Sequence, residues 1–400
     1  MGSTIRGAAL GLVWVLGAAL RAYEQEPVQQ TTPRFVVGVE VVALDASVVD
    51  RAGRPVDGLT PDDFEVKVDG TRRRIVSAQF INHLKSGVDA AITAVLGAAP
   101  GRDPAPPPAR RNVMIVFDED SLETENGLVA RRAALTLLDG LSPLDRVGVN
   151  LIPRVRGNFT LTSDRAATRR TLNAWVPGAF RDMPFPYWIG LTEAIEITRQ
   201  DKMTLDKVVL RECPGSPPDP YCPRDIVDYA RQIAERSAEK GTQTLEALRD
   251  LGAGLRKIAG PKVLVLVSGG LPKPESNFDF DAVATEFAAA EITLYTLFLE
   301  KPVSSRIRYR QSPTQGDDDR LEEFQLGSAT SAVGGTFLQV IGQVEPQFQR
   351  IARELSASYL LGIEVESVDR DGRPHKVSIK VNRSGLDVRG RQQYVIPAPK

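Results

Sequence analysis

The sequence predicts an α/β fold: a doubly wound, mostly parallel sheet inserted in a discontinuous, all-β, sandwich-like domain. Three observations predict it. Apolar runs such as Val113–Phe117 and Val263–Val267 show no alternation, the pattern of strands buried on both faces of a parallel sheet. Segments with helical spacing separate these runs, and strands alternating with helices give a parallel sheet covered on both sides. The two flanks of this region instead alternate apolar and polar residues, as half-buried strands do.

The elements follow in chain order. Arg6, an apolar run from Ala8 to Leu20, Arg21 and the polar stretch Glu24 to Thr32 read as a signal peptide over residues 1–22. The run is short for a membrane span and right for a signal core; an uncleaved N-terminal anchor is the other reading. No later segment could span a bilayer, so an exported protein, periplasmic or secreted, is expected. Residues 35–82 read as β: Val37, Val39 and Val41 alternate, and Asp50-Arg-Ala-Gly53 supplies a turn. Thr60 caps a short helical turn with Pro61 at its first position. Phe64, Val66 and Val68 lead to Asp69-Gly70, a hairpin signal, with Ile75 to Phe80 as the returning strand. Residues 98–110 form a Pro-rich linker.

The central region, 111–360, alternates strands and helices. Helical spacing is read over Val129–Leu141, from Asp164 through Trp175, along Leu245, Leu248, Leu251, Leu255 and Ile258, over Phe280–Ala290, and from Pro346. Strands are read at Arg146–Val155, Lys262–Val267 and Ile292–Leu299. An insert, 177–240, carries both cysteines. Cys213 and Cys222 flank the turn-rich Pro-Gly-Ser-Pro-Pro-Asp-Pro-Tyr, so a disulfide is expected in an oxidising compartment. Residues 361–397 alternate again, through Ile363, Val365, Val377, Ile379 and Val381 to Tyr394. Neither β flank is large enough for a core of its own. Joined, they supply about seven strands, the number of an immunoglobulin-sized sandwich; two separate β modules are the alternative.

The residues with the most chemical content lie just past the first buried strand. Asp118, Glu119, Asp120 and Ser121 stand where open α/β sheets bind ligands, and their oxygens suit a hard cation. The competing expectation is that these acids cap the next helix. Charge says less: 50 basic and 51 acidic residues leave a net charge of −1, no electrostatic case for a nucleic-acid partner. His83 and His375 both fall outside the central region, so no Ser–His or Cys–His dyad is expected at the sheet edge. Gly-x-Ser-x-Gly and P-loop motifs are absent from the sequence. An enzyme is therefore not expected.

The order of central elements resembles the von Willebrand factor type A (VWA) domain. The flanks sharpen the resemblance: Val-Val-Asp50-Arg-Ala-Gly-Arg-Pro-Val-Asp-Gly-Leu-Thr-Pro-Asp-Asp-Phe64 near one end, and Tyr359-Leu-Leu-Gly with Asp-Gly-Arg-Pro-His375-Lys-Val near the other, look like signatures of the exported VWFA-related family abundant in Acidobacteria. The resemblance implies a Rossmann-like VWA fold and binding of a protein partner through a metal-ion-dependent adhesion site. That site's pattern is Asp-x-Ser-x-Ser, a later Thr and a distal Asp-Gly. Asp118 matches the first Asp, Asp120 and Leu122 replace the serines, Thr242 fits the Thr, and Gly269 stands at the distal Asp. The implied site is therefore eroded: Asp118, Asp120, Ser121 and Thr242 as metal ligands, holding Mg²⁺, Mn²⁺ or Ca²⁺ weakly or not at all. The expected function is a non-catalytic, adhesion-type interaction module. Its candidate contact surfaces are the insert, with Phe180, Phe185, Tyr187 and Trp188, and the loop 301–325, where Asp317-Asp-Asp319 reads as a solvated charged stretch or a Ca²⁺ ligand. The alternatives are a structural subunit of an envelope or secretion assembly and, less favoured, a hydrolase.

Overall fold

Residues 41–84, 111–154, 158–178, 186–215, 219–272, 280–301 and 312–396 are described by a computed structural model. The expected signal peptide, Val37 and Val39, the Pro-rich linker, Phe180 and Phe185 lie outside them. The first described strands are β1 (Val41–Asp50), β2 (Phe64–Val68), β3 (Thr71–Arg73) and β4 (Ile75–Asn82). Asp69 (φ 48°) and Gly70 (φ 84°) turn β2 into β3, since both turn positions need positive φ. The returning strand of this hairpin is therefore β3, not Ile75–Phe80. One residue later the chain crosses to another sheet, where β4 pairs elsewhere.

The central elements are β5 (Asn112–Asp118), α1 (Thr124–Gly140), β6 (Arg146–Ile152), α2 (Arg165–Ala174), α3 (Leu191–Thr198), α4 (Lys202–Glu212) and α5 (Cys222–Arg256). They continue with β7 (Lys262–Ser268), α6 (Phe280–Ala289), β8 (Ile292–Leu299), α7 (Gln315–Ala332), β9 (Thr336–Val340) and α8 (Glu345–Glu354). The five strands form one sheet in the order β6-β5-β7-β8-β9, every neighbouring pair parallel. Alternate residues of β5 feed two cores. Val113, Ile115 and Phe117 pack with Leu137 and Leu138 of α1 and Phe348 and Ile351 of α8. Met114 and Val116 pack with Leu248 and Leu251 of α5 and Phe287 of α6. Both faces are covered, which is why these strands carry unbroken apolar runs.

Two expectations for this region need correction. Asp317, Asp318 and Asp319 are in the first turns of α7 rather than in a loop, where acidic side chains favour the positive end of the helix dipole. Neither Asp118 nor Asp120 caps α1: its N-cap is Glu123, without a side-chain cap bond. The insert is also less separate than its sequence suggests, because α5 runs 35 residues from the cysteine loop to the sheet. Cys213, at the end of α4, and Cys222, opening α5, are joined in a disulfide with Cα atoms 6.0 Å apart. Ile189, Ala194, Val208, Ile226 and Ala230 give this part a small core of its own.

The last strands are β10 (Ala357–Glu364), β11 (Pro374–Val381), β12 (Leu386–Arg389) and β13 (Gln393–Val395). They pair antiparallel with the first ones, in two four-stranded sheets ordered β12-β1-β10-β4 and β13-β11-β2-β3. One apolar cluster draws on both sheets: Leu44, Ala46, Val66, Val68, Tyr359, Leu361, Val377 and Tyr394. The Tyr359 hydroxyl accepts from Leu59 N (3.0 Å) and donates to Val56 O (3.1 Å), so its polar end is satisfied inside that core. At the entry to the parallel sheet, Arg111 forks onto Asp145 (3.0 and 2.7 Å) and donates to Leu355 O. This buried pair ties the first residue before β5 to the turn between α8 and β10. Among the described residues no helix is long and apolar enough to cross a membrane.

Candidate functional site

The carboxyl ends of β5 and β7 bring a polar cluster into an otherwise apolar interior. Asp118 ends β5 at 1 % exposure and Ser268 ends β7 at 0 %. Ser268 Oγ donates to Asp118 Oδ2 at 2.9 Å, and Thr244 Oγ1 of α5 reaches Asp118 Oδ1 at 3.5 Å. Ser121 lies beside them, its hydroxyl 3.0 Å from Ser268 Oγ and 3.0 Å from Asp118 O. Main-chain donors complete the set: Gly269 N–H bonds Ser121 Oγ at 2.8 Å and Gly270 N–H bonds Ser268 Oγ at 3.1 Å. Burial pushes the Asp118 carboxyl up to about 7, although the serine hydroxyls favour its charged form; the nearby Asp120 raises it further. A buried carboxylate next to a like charge is easier to protonate.

The neighbouring acids have other roles. Glu119 accepts from Trp175 Nε1 at 2.8 Å and lies 3.4 Å from Arg154, while Trp175 packs on Phe117 at 4.1 Å between centroids. Asp120 is exposed. Thr242 is exposed on α5, its hydroxyl bonded to Ala238 O one turn back at 2.9 Å; it is not brought to Asp118. Thr244 takes that place because it shares the buried stripe of Leu248, Leu251 and Leu255, four, seven and eleven residues on. That periodicity is legible in the sequence and selects Thr244 over Thr242. Ser268 is signalled only by its position at a strand's carboxyl end.

The protein donors here are few for a divalent cation. Ca²⁺ takes six to eight oxygens, and Mg²⁺ takes six, of which several are usually water and one or two carboxylate. One carboxylate faces the cluster, and both serine hydroxyls are already engaged with each other and with main-chain N–H groups. A Cβ at Gly269 would stand 2.2 Å from Ser121 O, so a carboxylate at the distal position would have to displace the loop after β5. Gly270 (φ +134°) is held as tightly: a Cβ there would meet Glu322 Cβ at 2.6 Å. Among the described residues no three His, Cys, Asp or Glu side chains converge as a metal group would require.

Above this cluster, Leu271 N bonds Glu322 O at 3.0 Å, bringing α7 over the edge. The Lys301 ammonium lies between Glu322 (2.9 Å) and Asp319 (3.0 Å). Burial opposes the charge on Lys301, but Glu322 and Asp319 outweigh it and raise its pKa. Asp318 accepts from Thr192 N (2.7 Å) and Leu191 N (3.2 Å), capping α3. The three acids read as a loop are thus tied into the fold: Asp318 caps a helix, Asp319 holds Lys301, and Asp317 pairs with Arg320.

The histidines are elsewhere. His83 Nε2 is 2.9 Å from Ser358 Oγ, a Ser–His contact that the sequence did not signal. Burial, helped by the Arg111 cation, lowers the His83 pKa to about 3. Such an imidazole is too weak a base to activate a hydroxyl near neutral pH. His375 is held between Asp69 (2.7 Å) and Asp371 (3.0 Å), one at each ring nitrogen. Burial works against its charge, but the two carboxylates outweigh it and raise its pKa.

No family model matches the chain, and no curated protein matches it. Among solved structures, proximal thread matrix protein 1 from the mussel byssus is similar at 8 % identity and a TM-score of 0.27, over 62 % of this chain and 47 % of that one. The TFIIH p34 N-terminal domain is similar at 14 % identity and 0.24, over 61 % of this chain and 97 % of that one. The pilus adhesin SpaC from Lactobacillus rhamnosus GG, in an open conformation, is similar at 7 % identity and 0.31, over 87 % and 47 %. The chain thus spans about half the length of two of these three. At such scores the likenesses carry no argument about function.

Proposed function

We propose that this chain is an exported, non-catalytic protein-interaction module of the VWA kind. In this reading the parallel sheet is the VWA-like core, the two antiparallel sheets form a sandwich beside it, and the metal-ion site is closed. The observation that carries the reading is the hydroxyl network on Asp118. Its groups sit where open α/β sheets bind ligands, yet they are satisfied by one another at 2.9–3.1 Å with Ser268 fully buried. A nucleophile needs access and a base, and a metal needs free oxygen donors; this edge supports neither. Recognition then falls to loop and insert surfaces. The disulfide fits an oxidising compartment, as the signal-like N-terminal segment does. A structural-subunit role draws on one observation, the exposed Met203 (71 %) and Leu210 (86 %) two turns apart on α4.

The test is thermal unfolding of the wild type and Asp118→Ala, titrated with Mg²⁺, Mn²⁺ and Ca²⁺ after chelation. A ligand that binds only the folded state raises the midpoint. The expected result is no rise in the wild type. A rise that Asp118→Ala lacks would establish a working metal site and end the closed-site reading. Ester or phosphoester hydrolysis abolished by Asp118→Ala would end the non-catalytic one.

A further inference from the structure

The outer edge of the parallel sheet carries a second feature, independent of the Asp118 cluster. β6 is the edge strand. Its even-numbered residues turn their main-chain groups inward to β5: Arg146 N–H bonds Arg111 O at 2.9 Å, and Ile152 O accepts from Glu119 N at 2.9 Å. Main-chain groups alternate in direction along a strand, so those of Val147, Val149 and Leu151 point outward. Val147 exchanges both of its bonds with Thr162 (2.8 and 3.1 Å) in a single antiparallel bridge. The ladder stops there. Among the described residues neither Val149 nor Leu151 makes an outward main-chain bond. Where it stops, an open groove of about 620 Å³ lies against the strand, walled by Val149, Asn158, Phe159, Thr160, Thr168 and Thr171.

The groove's lining is uncharged, but the described chain around it is basic. Between Arg146 and Gly178 the described residues include five arginines and one acid, Asp164, with Arg154 lying against Glu119, in a protein whose net charge is −1. On α2, which supplies Thr168 and Thr171, Arg170 is 73 % exposed with Asp164 at 3.9 Å, and Arg169 is half-exposed beside Asp139. We infer that this groove takes an extended, acidic segment of a partner polypeptide, which adds to β6 as a strand. The outward N–H and C=O of Val149 select a peptide backbone, as in strand addition to an open sheet edge. The threonine hydroxyls accommodate small polar or β-branched side chains. The arginines supply attraction and orientation, which chiefly raise the rate of encounter and are weakened by salt.

This inference rests on the interaction-module reading and gives it a surface and a partner class. The test uses the full folded chain and fluorescein-labelled peptides of about ten residues. One alternates valine and glutamate, one alternates valine and lysine, and a third repeats the acidic composition with central prolines that remove donors and the extended ladder. Fluorescence anisotropy of the acidic peptide is expected to saturate, with at least tenfold weaker binding for the lysine and proline versions. Thr171→Glu, an exposed change inside the groove, should weaken the acidic peptide about tenfold, and Thr171→Lys should strengthen it. Val149→Pro removes the outward N–H and should abolish binding; Thr171→Glu keeps the test valid if that strand variant fails to fold. Acidic-peptide binding indifferent to both Thr171 variants, or no binding by the folded wild type, would overturn the inference. A labelled oligothymidylate binding as tightly as the acidic peptide would overturn the polypeptide assignment, and a homodimer dispersed by Thr171→Glu would put a second copy in the groove instead. Failure here leaves the metal titration untouched, so the two readings fail separately.

Discussion

The five parallel strands and the eight antiparallel ones bury their apolar residues in opposite ways. β5 and β7 are buried at every position because helices cover both faces. β2 alternates buried and half-buried residues, as does most of β10, because each antiparallel sheet turns one face to the shared core. The first arrangement takes most of its partners from nearby in sequence, Asn112 facing Arg146 and Lys262 facing Ile292, with the β5–β7 pair as the long-range exception. The second takes them from the far end: Ala46 pairs with Tyr359, Val68 with Val377. Each region also holds one buried, forked ion pair, Arg111–Asp145 in the first and Arg73–Asp369 in the second. The difference between them is redundancy. Arg73 has Glu366 as a second acid at 3.3 Å, whereas among the described residues Arg111 has beyond Asp145 only the carbonyl of Leu355.

Breaking that comparison gives the largest effect. Removing one partner of a buried pair costs about 3–5 kcal/mol, and Asp145→Ala is expected to cost that much in urea unfolding. Asp369→Ala should cost distinctly less, because Glu366 remains; equal losses would refute the redundancy argument. Next comes the disulfide. Replacing Cys213 and Cys222 by serine should cost about 2–3 kcal/mol on the chain-entropy model. Hydrogen exchange should localise the loosening to α4 and the first turns of α5, leaving the antiparallel sheets protected. Gly269→Ala places a methyl against the Ser121 carbonyl and should cost about 1–3 kcal/mol. Gly269→Asp should destabilise likewise without creating any response of the melting temperature to Mg²⁺.

The smallest effect depends on pH and belongs to the antiparallel region. The His375 pKa is raised above its free value near 6.5. Its contribution to stability is therefore complete below about pH 6.5 and is lost as pH rises through the folded-state value. The melting temperature of His375→Gln should fall furthest below that of the wild type at about pH 5.5 and converge toward it by about pH 8.5. A gap that widens with pH would mean the imidazole is neutral in the folded state. His83, with its lowered pKa, should show the opposite trend: below about pH 6.5 the unfolded chain takes up a proton there that the folded one does not, so the wild type loses stability relative to His83→Gln as pH falls from about 8.5 to about 5.5.

Much of the parallel sheet was legible because its signals are local. Lys262–Ser268 and Ile292–Leu299 announce themselves as unbroken apolar runs, and Asp164 caps α2 by accepting from Ala167 N, as its place before the helix suggests. The hairpin was legible up to its turn and then misread, because nothing local marks Arg74 as the point where the chain leaves one sheet for another. At the site, Asp118 could be named from its place after an apolar run. Its partners could not, since Ser268 arrives from 150 residues away and Thr244 from 126. Thr242 fits the adhesion-site pattern that the family resemblance implies, while the helical period of α5 points to Thr244. The outward-facing pair on Val149 follows from register alone, which no composition records.

The pairing of β4 with β10 also sets a schedule. Asn82 lies opposite Ala357, with about 275 residues of chain between them, and β1 and β2 wait longer still, about 310–320 residues, for β10 and β11. At the usual pace of synthesis, roughly 5–20 residues per second, the first strands exist for about 15–65 s before their partners emerge. Throughout that interval the parallel sheet can assemble on the chain already made, while the edges of β1, β2 and β4 stay open to wrong neighbours. The strands that are made first are therefore the last to find their partners.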